Sequence, residues 1–238
     1  MMRLKEVQCK SLLCSTGLPA DYCINPYIGC LHGCRYCYAR FMKRYTNHPE
    51  SWGEFVDVKI NAVEVLQKEV MKKKKGRVYL SSVTDSYQPI EKRYQLTRKI
   101  LGVLAQAGWP VTIQTKSSLI LRDLDILKAI PQAKVGLTIT TTEERVRRAF
   151  EPVASPVAER FSALKTLKRA GLITFCMVAP ILPGLTDVEA IKRKLDGWVD
   201  FVWEDQLNIR YGNWPTIQET VQRYFPHLLA EFEKRIGA

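Results

Sequence analysis

Apolar and polar positions along the chain fall into two alternating kinds of block. Short runs rich in β-branched, aromatic and other apolar residues occupy 55–60, 77–82, 111–115, 135–140, 173–179 and 199–203 and read as strands. Longer segments between them repeat apolar residues every three or four positions. Asn61 is placed to cap a helix over 62–74 that carries Val63, Leu66 and Val70 on one face and is stopped by Gly76. A longer helix over 91–107 aligns Leu96, Ile100, Val103 and Leu104 and ends at Gly108. Helices are also predicted over 35–45, 121–130, 143–150, 156–170, 187–195 and 216–235. With a leading strand near 22–27, the chain holds about six strand–helix units. Strand then helix, repeated, requires crossover connections, hence an α/β fold with a parallel sheet and outer helices. Six units fall short of the closed eight-stranded barrel, for which ~250 residues are usual. Residues 1–22 read as an irregular lead-in, 23–215 as the α/β domain and 216–238 as a C-terminal helix packed on it.

Composition narrows the setting. Of 238 residues 46% are hydrophobic, ample for a core that needs no disulfide framework. Seven cysteines, three of them clustered, point to a reducing compartment, and the opening MMRLKEVQCK lacks the apolar centre of a signal peptide. No apolar run approaches the ~18 residues of a membrane span, so a cytoplasmic protein without membrane contact is expected. The formal charge of +12 includes basic groups at 72–75 with Arg77, at Arg145, Arg147 and Arg148, and at 192–194. A solvated helix face accounts for each group singly. Together they favour a polyanionic partner, nucleic acid above all.

Chemistry concentrates in residues 25–40, NPYIGCLHGCRYCYAR. Cys30, Cys34 and Cys37 are spaced C-x3-C-x2-C on a loop, where thiolates can converge on one metal centre. Three ligands on a cubane of about four irons leave one iron open. The alternative is a structural zinc with His32 or Cys23 as fourth ligand, although the second cysteine pair of a zinc ribbon is missing downstream. Cys9 and Cys14 read as bystanders and Cys176 as a small core residue. Polar residues also gather after the strands, at 81–85, 114–117, 138–142 and 179–187, where parallel α/β folds keep their working groups. His48 and His227 read as surface or packing residues, and Glu151 as a structural partner of Arg160. Trp198, Trp203, Trp214 and Tyr211 read as core or C-terminal packing, with stacking on a base at the mouth as the functional alternative.

The cysteine loop, followed in order by SSVTDSYQPIE, TKSSLILRD, AFEP and APILPGLTD over roughly 25–187, resembles the radical S-adenosylmethionine (radical SAM) superfamily, in its spore photoproduct lyase-related branch. The resemblance implies a partial (β/α)6 barrel and a [4Fe–4S] cluster on Cys30, Cys34 and Cys37 whose open iron chelates SAM. The reduced cluster would cleave SAM to a 5′-deoxyadenosyl radical. It also implies that Thr84 with Asp85 meets the SAM amino group, that Lys116 meets the SAM carboxylate, and that Thr138 or Thr140 touches SAM. Tyr38 would lie near adenine, with 178–181 as a wall. Ordinary structural roles compete at each: a helix cap for Asp85, an exposed loop lysine for Lys116, β-branched strand residues for the threonines. Tyr36 and Tyr38 match tyrosines implicated in hydrogen relay, whereas Ser82 stands where the lyases carry a hydrogen-donating cysteine. The implied substrate is a thymine photoproduct in DNA, with RNA, a peptide or a small molecule as alternatives and an external one-electron reductant such as flavodoxin or ferredoxin as partner. A non-catalytic Fe–S or zinc nucleic-acid-binding module is the rival, and the polar strand ends argue against it.

Overall fold

The computed structural model describes residues 2–234. Its strands are β1 (Arg3–Val7), β2 (Cys14–Ser15), β3 (Tyr22–Ile24), β4 (Tyr27–Ile28), β5 (Phe55–Lys59), β6 (Val78–Leu80), β7 (Val111–Thr115), β8 (Lys134–Thr138), β9 (Ile173–Ile181) and β10 (Phe201–Gln206). Its α-helices are α1 (Ala62–Lys72), α2 (Glu91–Tyr94), α3 (Leu96–Gln106), α4 (Leu124–Ala129), α5 (Glu144–Phe150), α6 (Val157–Arg169), α7 (Val188–Leu195), α8 (Trp214–Tyr224) and α9 (Leu229–Lys234). Short 3-10 segments cover Tyr38–Tyr45, Ser118–Asp123 and Pro226–Leu228.

Six parallel strands carry the fold. The main sheet runs β10-β9-β8-β7-β6-β3-β2, all parallel except the β2 edge, and outer helices follow the strands. Its ends do not pair with each other, so the barrel is partial. Ile24, Val78, Leu80, Val111, Ile113, Val135 and Leu137 are fully buried against Leu66 of α1 and Ile100 and Leu104 of α3. Burial of this apolar surface is the main stabilising term, at about 1.5–3 kcal/mol per large side chain.

Several elements depart from the sequence reading. Strand β5 leaves the barrel and forms a small sheet, parallel to β1 and antiparallel to β4. The lead-in is therefore ordered: β1 pairs with β5, and Glu69 of α1 accepts the backbone N–H groups of Leu12 (3.0 Å) and Leu13 (2.7 Å). Asn61 makes no side-chain cap; its amide instead bonds both backbone groups of Cys9, at 2.8 and 3.0 Å. The helix expected over 91–107 breaks at Gln95, which adopts φ 51°. The buried Glu91 carboxylate reaches past the break and accepts Thr97 N–H at 2.9 Å, capping α3 from the preceding turn. The segment expected as a helix over 121–130 is a 3-10 turn followed by α4, and that over 35–45 starts only at Tyr38 and is 3-10 throughout. Pro226, which lacks an N–H, divides the predicted C-terminal helix into α8 and α9. Arg235 and the rest of the 216–238 segment beyond Lys234 lie outside the described residues.

The small sheet has a purpose in placing the cysteine loop. Gly29 (φ +86°) packs directly on β5, where a Cβ would stand 2.5 Å from the Phe55 carbonyl oxygen. Only glycine permits this contact, which sets Cys30 immediately beyond the sheet.

Candidate active site

The cysteine loop and the C-terminal ends of β6 to β10 enclose one cavity of about 380 Å³. Cys30, Cys34 and Cys37 all face it. Leu18 of the lead-in also lines it, and residues 205–208, at the end of β10 and just beyond it, form part of its wall. Burial raises all three thiols, Cys34 to about 12 despite the nearby Lys116 ammonium. Three soft sulfurs that the protein alone does not ionise fit a strongly cationic centre that supplies the missing charge. Among the described residues no three His, Cys, Asp or Glu side chains converge on a single-ion site. The proposed fourth zinc ligands are engaged elsewhere: His32 Nδ1 lies 3.3 Å from Asp85 Oδ2, and Cys23 sits in β3 with Asn25 Nδ2 at 3.9 Å. The donor set therefore fits a multinuclear iron–sulfur cluster better than a lone zinc.

Asp85 is the hub beneath the loop. Its Oδ1 accepts Tyr87 N–H (2.8 Å) and the Thr115 hydroxyl (2.6 Å), and its Oδ2 accepts Lys116 N–H (2.9 Å). Burial alone would raise this carboxyl, but His32 and these donors hold it well below the usual carboxylate range. Asp85 thus welds the end of β6 to the end of β7. Its role as a local turn cap, through Tyr87 N–H, is real but only part of its work. Thr84 donates to the Gly29 carbonyl (2.6 Å) and accepts from Gln88 Nε2 (3.0 Å). The fully buried Gln88 also accepts Leu31 N–H at 2.8 Å. Asn25 binds Val83 N–H (3.1 Å) and Ser82 Oγ (3.0 Å), stitching the same two segments higher up.

Lys116 lines the cavity with its Nζ 5.6 Å from the Tyr36 ring centroid, and it pairs with no carboxylate among the described residues. Tyr36 turns its hydroxyl away into a buried network, donating to Glu151, with Thr140 Oγ1 at 3.3 Å. Glu151 forms the expected ion pair with Arg160, 2.5 Å between Oε2 and Nη2. Thr140 belongs to this network and does not line the cavity; Thr138 does. The strand ends at Thr138, so the alternation that would have put both threonines on one face stops between them. Tyr38 remains at the mouth and donates to the Ser82 carbonyl at 2.5 Å. On the facing wall Tyr79 donates to Gln114 Oε1 (2.5 Å), and Gln114 Nε2 donates to Thr138 Oγ1 (3.0 Å), a polar chain across three strands.

Sequence reasoning passed over Tyr79 and gave no individual role to Gln88 or to Gln114, although Gln114 opens the polar strand end 114–117. The inward parity of Tyr79 and Gln114 on adjacent strands was the available signal. His48 is a packing residue: it is buried between Glu50 (3.0 Å) and Asp57 (2.8 Å) and stacked on Phe55. Trp203 packs on Phe175 and Phe201, whereas Tyr211 is 51% exposed and rests on Phe41.

Residues 24–194 match the radical SAM superfamily. The chain belongs to the radical SAM superfamily. Members use a [4Fe–4S] cluster and SAM, so the thiol-lined cavity has a cofactor pair of known kind to hold. An uncharacterized protein of Methanocaldococcus jannaschii is 39% identical over 206 residues, 86% of this chain and 78% of its own. A radical SAM Nα-GlyT isomerase of Pseudomonas phage M6 is 25% identical over 170 residues, 71% of this chain but 35% of its own. Among solved structures, a spore photoproduct lyase mutant with bound AdoMet and dinucleoside spore photoproduct superposes with TM-score 0.71, 19% identity, and coverage of 93% of this chain and 67% of that one. At that identity the likeness concerns the fold, the partial (β/α)6 barrel of radical SAM enzymes. No helix among the described residues is long and apolar enough to cross a membrane.

Proposed function

We propose that Cys30, Cys34 and Cys37 hold the cluster of a radical SAM enzyme that acts on DNA, in a lyase-type repair of a thymine photoproduct. When bound and reduced by an external one-electron donor in the cytoplasm, the cluster with SAM supplies a 5′-deoxyadenosyl radical that takes hydrogen from substrate. The observation that carries this reading is the meeting, in one cavity, of three thiols and an ammonium that has no carboxylate partner among the described residues.

The chain's own groups divide the work. Lys116 offers its ammonium to the SAM carboxylate, a charge-assisted contact. Asp85 acts as a positioning residue, because both its oxygens are spent on Tyr87, Thr115, Lys116 and His32. Thr84 likewise supports the loop through Gly29, and its oxygen beside Gln88 is the only part left for the SAM amino group. Thr138 presents a hydroxyl from the floor, while Thr140 and the Tyr36 hydroxyl steady that floor from behind and the Tyr36 ring faces Lys116. Tyr38, at the mouth, is the better placed phenol for hydrogen relay. The net charge of +12 supports a nucleic-acid substrate.

A second reading, an isomerisation that returns the abstracted hydrogen to the product, is favoured by Ser82. A hydroxyl O–H is far stronger than a thiol S–H, and the thiols lining the cavity are those of the loop alone among the described residues. Anaerobic turnover with site-specifically deuterated DNA tests both. Deuterium appearing in 5′-deoxyadenosine supports a DNA substrate, and its return to product in many turnovers per SAM selects isomerisation. Cleavage of SAM with no label transfer from any lesion-bearing or undamaged DNA would move the substrate elsewhere.

A further inference from the structure

Beside the cavity mouth lies a surface on which exposed cations and open rings sit together. The 3-10 helix Tyr38–Tyr45 comes directly after Cys37 and alternates basic and aromatic residues. It contacts the loop 207–213 after β10: Phe41 meets Tyr211 with ring centroids 5.0 Å apart. Asn213 Nδ2 bonds the Tyr36 carbonyl (2.9 Å), and Thr216 Oγ1 bonds that of Arg35 (2.7 Å), so the two segments form one surface. Both reach the cavity, through Tyr38 and Asn208.

No acidic residue occurs within 35–45 or 206–216. Arg35, Arg44 and Arg210 are exposed, and their guanidinium groups meet no ion-pair partner among the described residues. The buried and half-buried arginines Arg98, Arg122, Arg147 and Arg160, by contrast, are each bound to carboxylates. Between the free cations, Tyr45 is 70% and Tyr211 51% exposed. Cations alone would suit any polyanion. Cations interleaved with open rings suit one whose own rings can stack. Bases in a duplex already have both faces covered, so an unpaired stretch is required.

We infer that this rim grips single-stranded or locally opened DNA, with Arg35, Arg44 and Arg210 on phosphates and Tyr45 and Tyr211 on bases, and so leads one nucleotide over the cavity mouth. The choice of DNA rests on the function proposed above; the rim itself rests on the geometry. A basic group of similar size at Lys72, Lys74 and Lys75 closes α1 and leads into the start of β6, at the opposite end of the sheet from the cavity. It serves as an internal control.

The test is anisotropy titration of the anaerobically reconstituted holoprotein with labelled oligothymidylate, a hairpin duplex and oligouridylate, across a salt series. Arg35→Ala/Arg44→Ala/Arg210→Ala should reduce the slope of log K against log salt by about 2, from roughly 0.7 per phosphate contact on a single strand. Tyr45→Ala and Tyr211→Ala should each weaken binding roughly 5- to 150-fold at an unchanged slope. Lys72→Ala/Lys74→Ala/Lys75→Ala should bind oligothymidylate as the natural protein does. Rim variants that bind normally while the control variant loses affinity would overturn the rim and leave the DNA reading standing. Preference for the duplex or for oligouridylate would overturn the assignment to unpaired DNA. A natural protein that binds none of the three would overturn both the rim and the nucleic-acid function.

Discussion

Replacing Arg160 by methionine should destabilise the protein by about 3 kcal/mol, through a carboxylate far from any solvent. Glu151 and Arg160 are each 1% exposed and meet at 2.5 Å. Breaking a buried pair by removing one partner typically costs about 3–5 kcal/mol, because the remaining charge is stranded. Here the loss should fall at the low end. Glu151 retains hydrogen bonds from Tyr36 and Thr140 (2.9 Å), and the Lys116 ammonium still pulls on it. Glu151→Gln strands the guanidinium instead, but that group keeps the carbonyls of Ser155 (2.8 Å) and Thr138 (3.0 Å), so a loss of about 2–3 kcal/mol is expected. The double variant removes both charges and should be at least ~2 kcal/mol more stable than the sum of the single losses. Urea unfolding of the metal-free protein monitored by circular dichroism measures all three. A loss below about 1 kcal/mol for Arg160→Met, or simple additivity, would refute the network. A pH series adds an independent check. Burial raises the Glu151 carboxyl, yet Arg160 and Lys116 outweigh it and hold it at about 2 against an ordinary 4.5. A depressed folded value means the stabilisation is complete above 4.5 and fades as pH falls from there toward about 2. The natural protein's advantage over Glu151→Gln should shrink across that window.

The site yields three further expected outcomes. Gly29→Ala places a Cβ 2.5 Å from the Phe55 carbonyl at positive φ, so it should cost about 2–4 kcal/mol and lower iron content after reconstitution. Lys116→Ala should leave iron content unchanged and weaken SAM roughly 10- to 100-fold by isothermal titration, the equivalent of one charge-assisted contact. Asp85→Asn presents an NH2 to N–H and O–H donors, so it should cost about 1–3 kcal/mol in unfolding experiments and weaken SAM indirectly by loosening Lys116.

The alternation of short apolar runs with amphipathic segments was enough to read six parallel strands and their order along the chain. The 111–115 run coincides with β7 to the residue. The three cysteines were equally legible, because their spacing is local. Long-range choices were not. The sequence FVDVK looks like any inner strand, and only its pairing with β1 and β4 takes it out of the barrel. Gln95 breaks a helix of good periodicity because Glu91, four residues earlier, caps α3 beyond the break. Thr140 resembled a cofactor contact and Tyr36 a relay phenol by position, yet Glu151 binds both hydroxyls: Thr140 lies outside the cavity lining, and Tyr36 lines the cavity with its hydroxyl bonded to Glu151. Gln88 lies inside a quoted motif and Gln114 at a polar strand end, but neither had a role there; their importance appears only when the loop and neighbouring strands close around them.

The most direct test of the central claim is anaerobic reconstitution with iron and sulfide, then reduction in the presence of SAM. The account predicts about four irons per chain and release of 5′-deoxyadenosine, both lost on Cys30→Ala, Cys34→Ala or Cys37→Ala. A chain that takes up a single zinc, or one that loads iron but yields no 5′-deoxyadenosine on reduction, would contradict it.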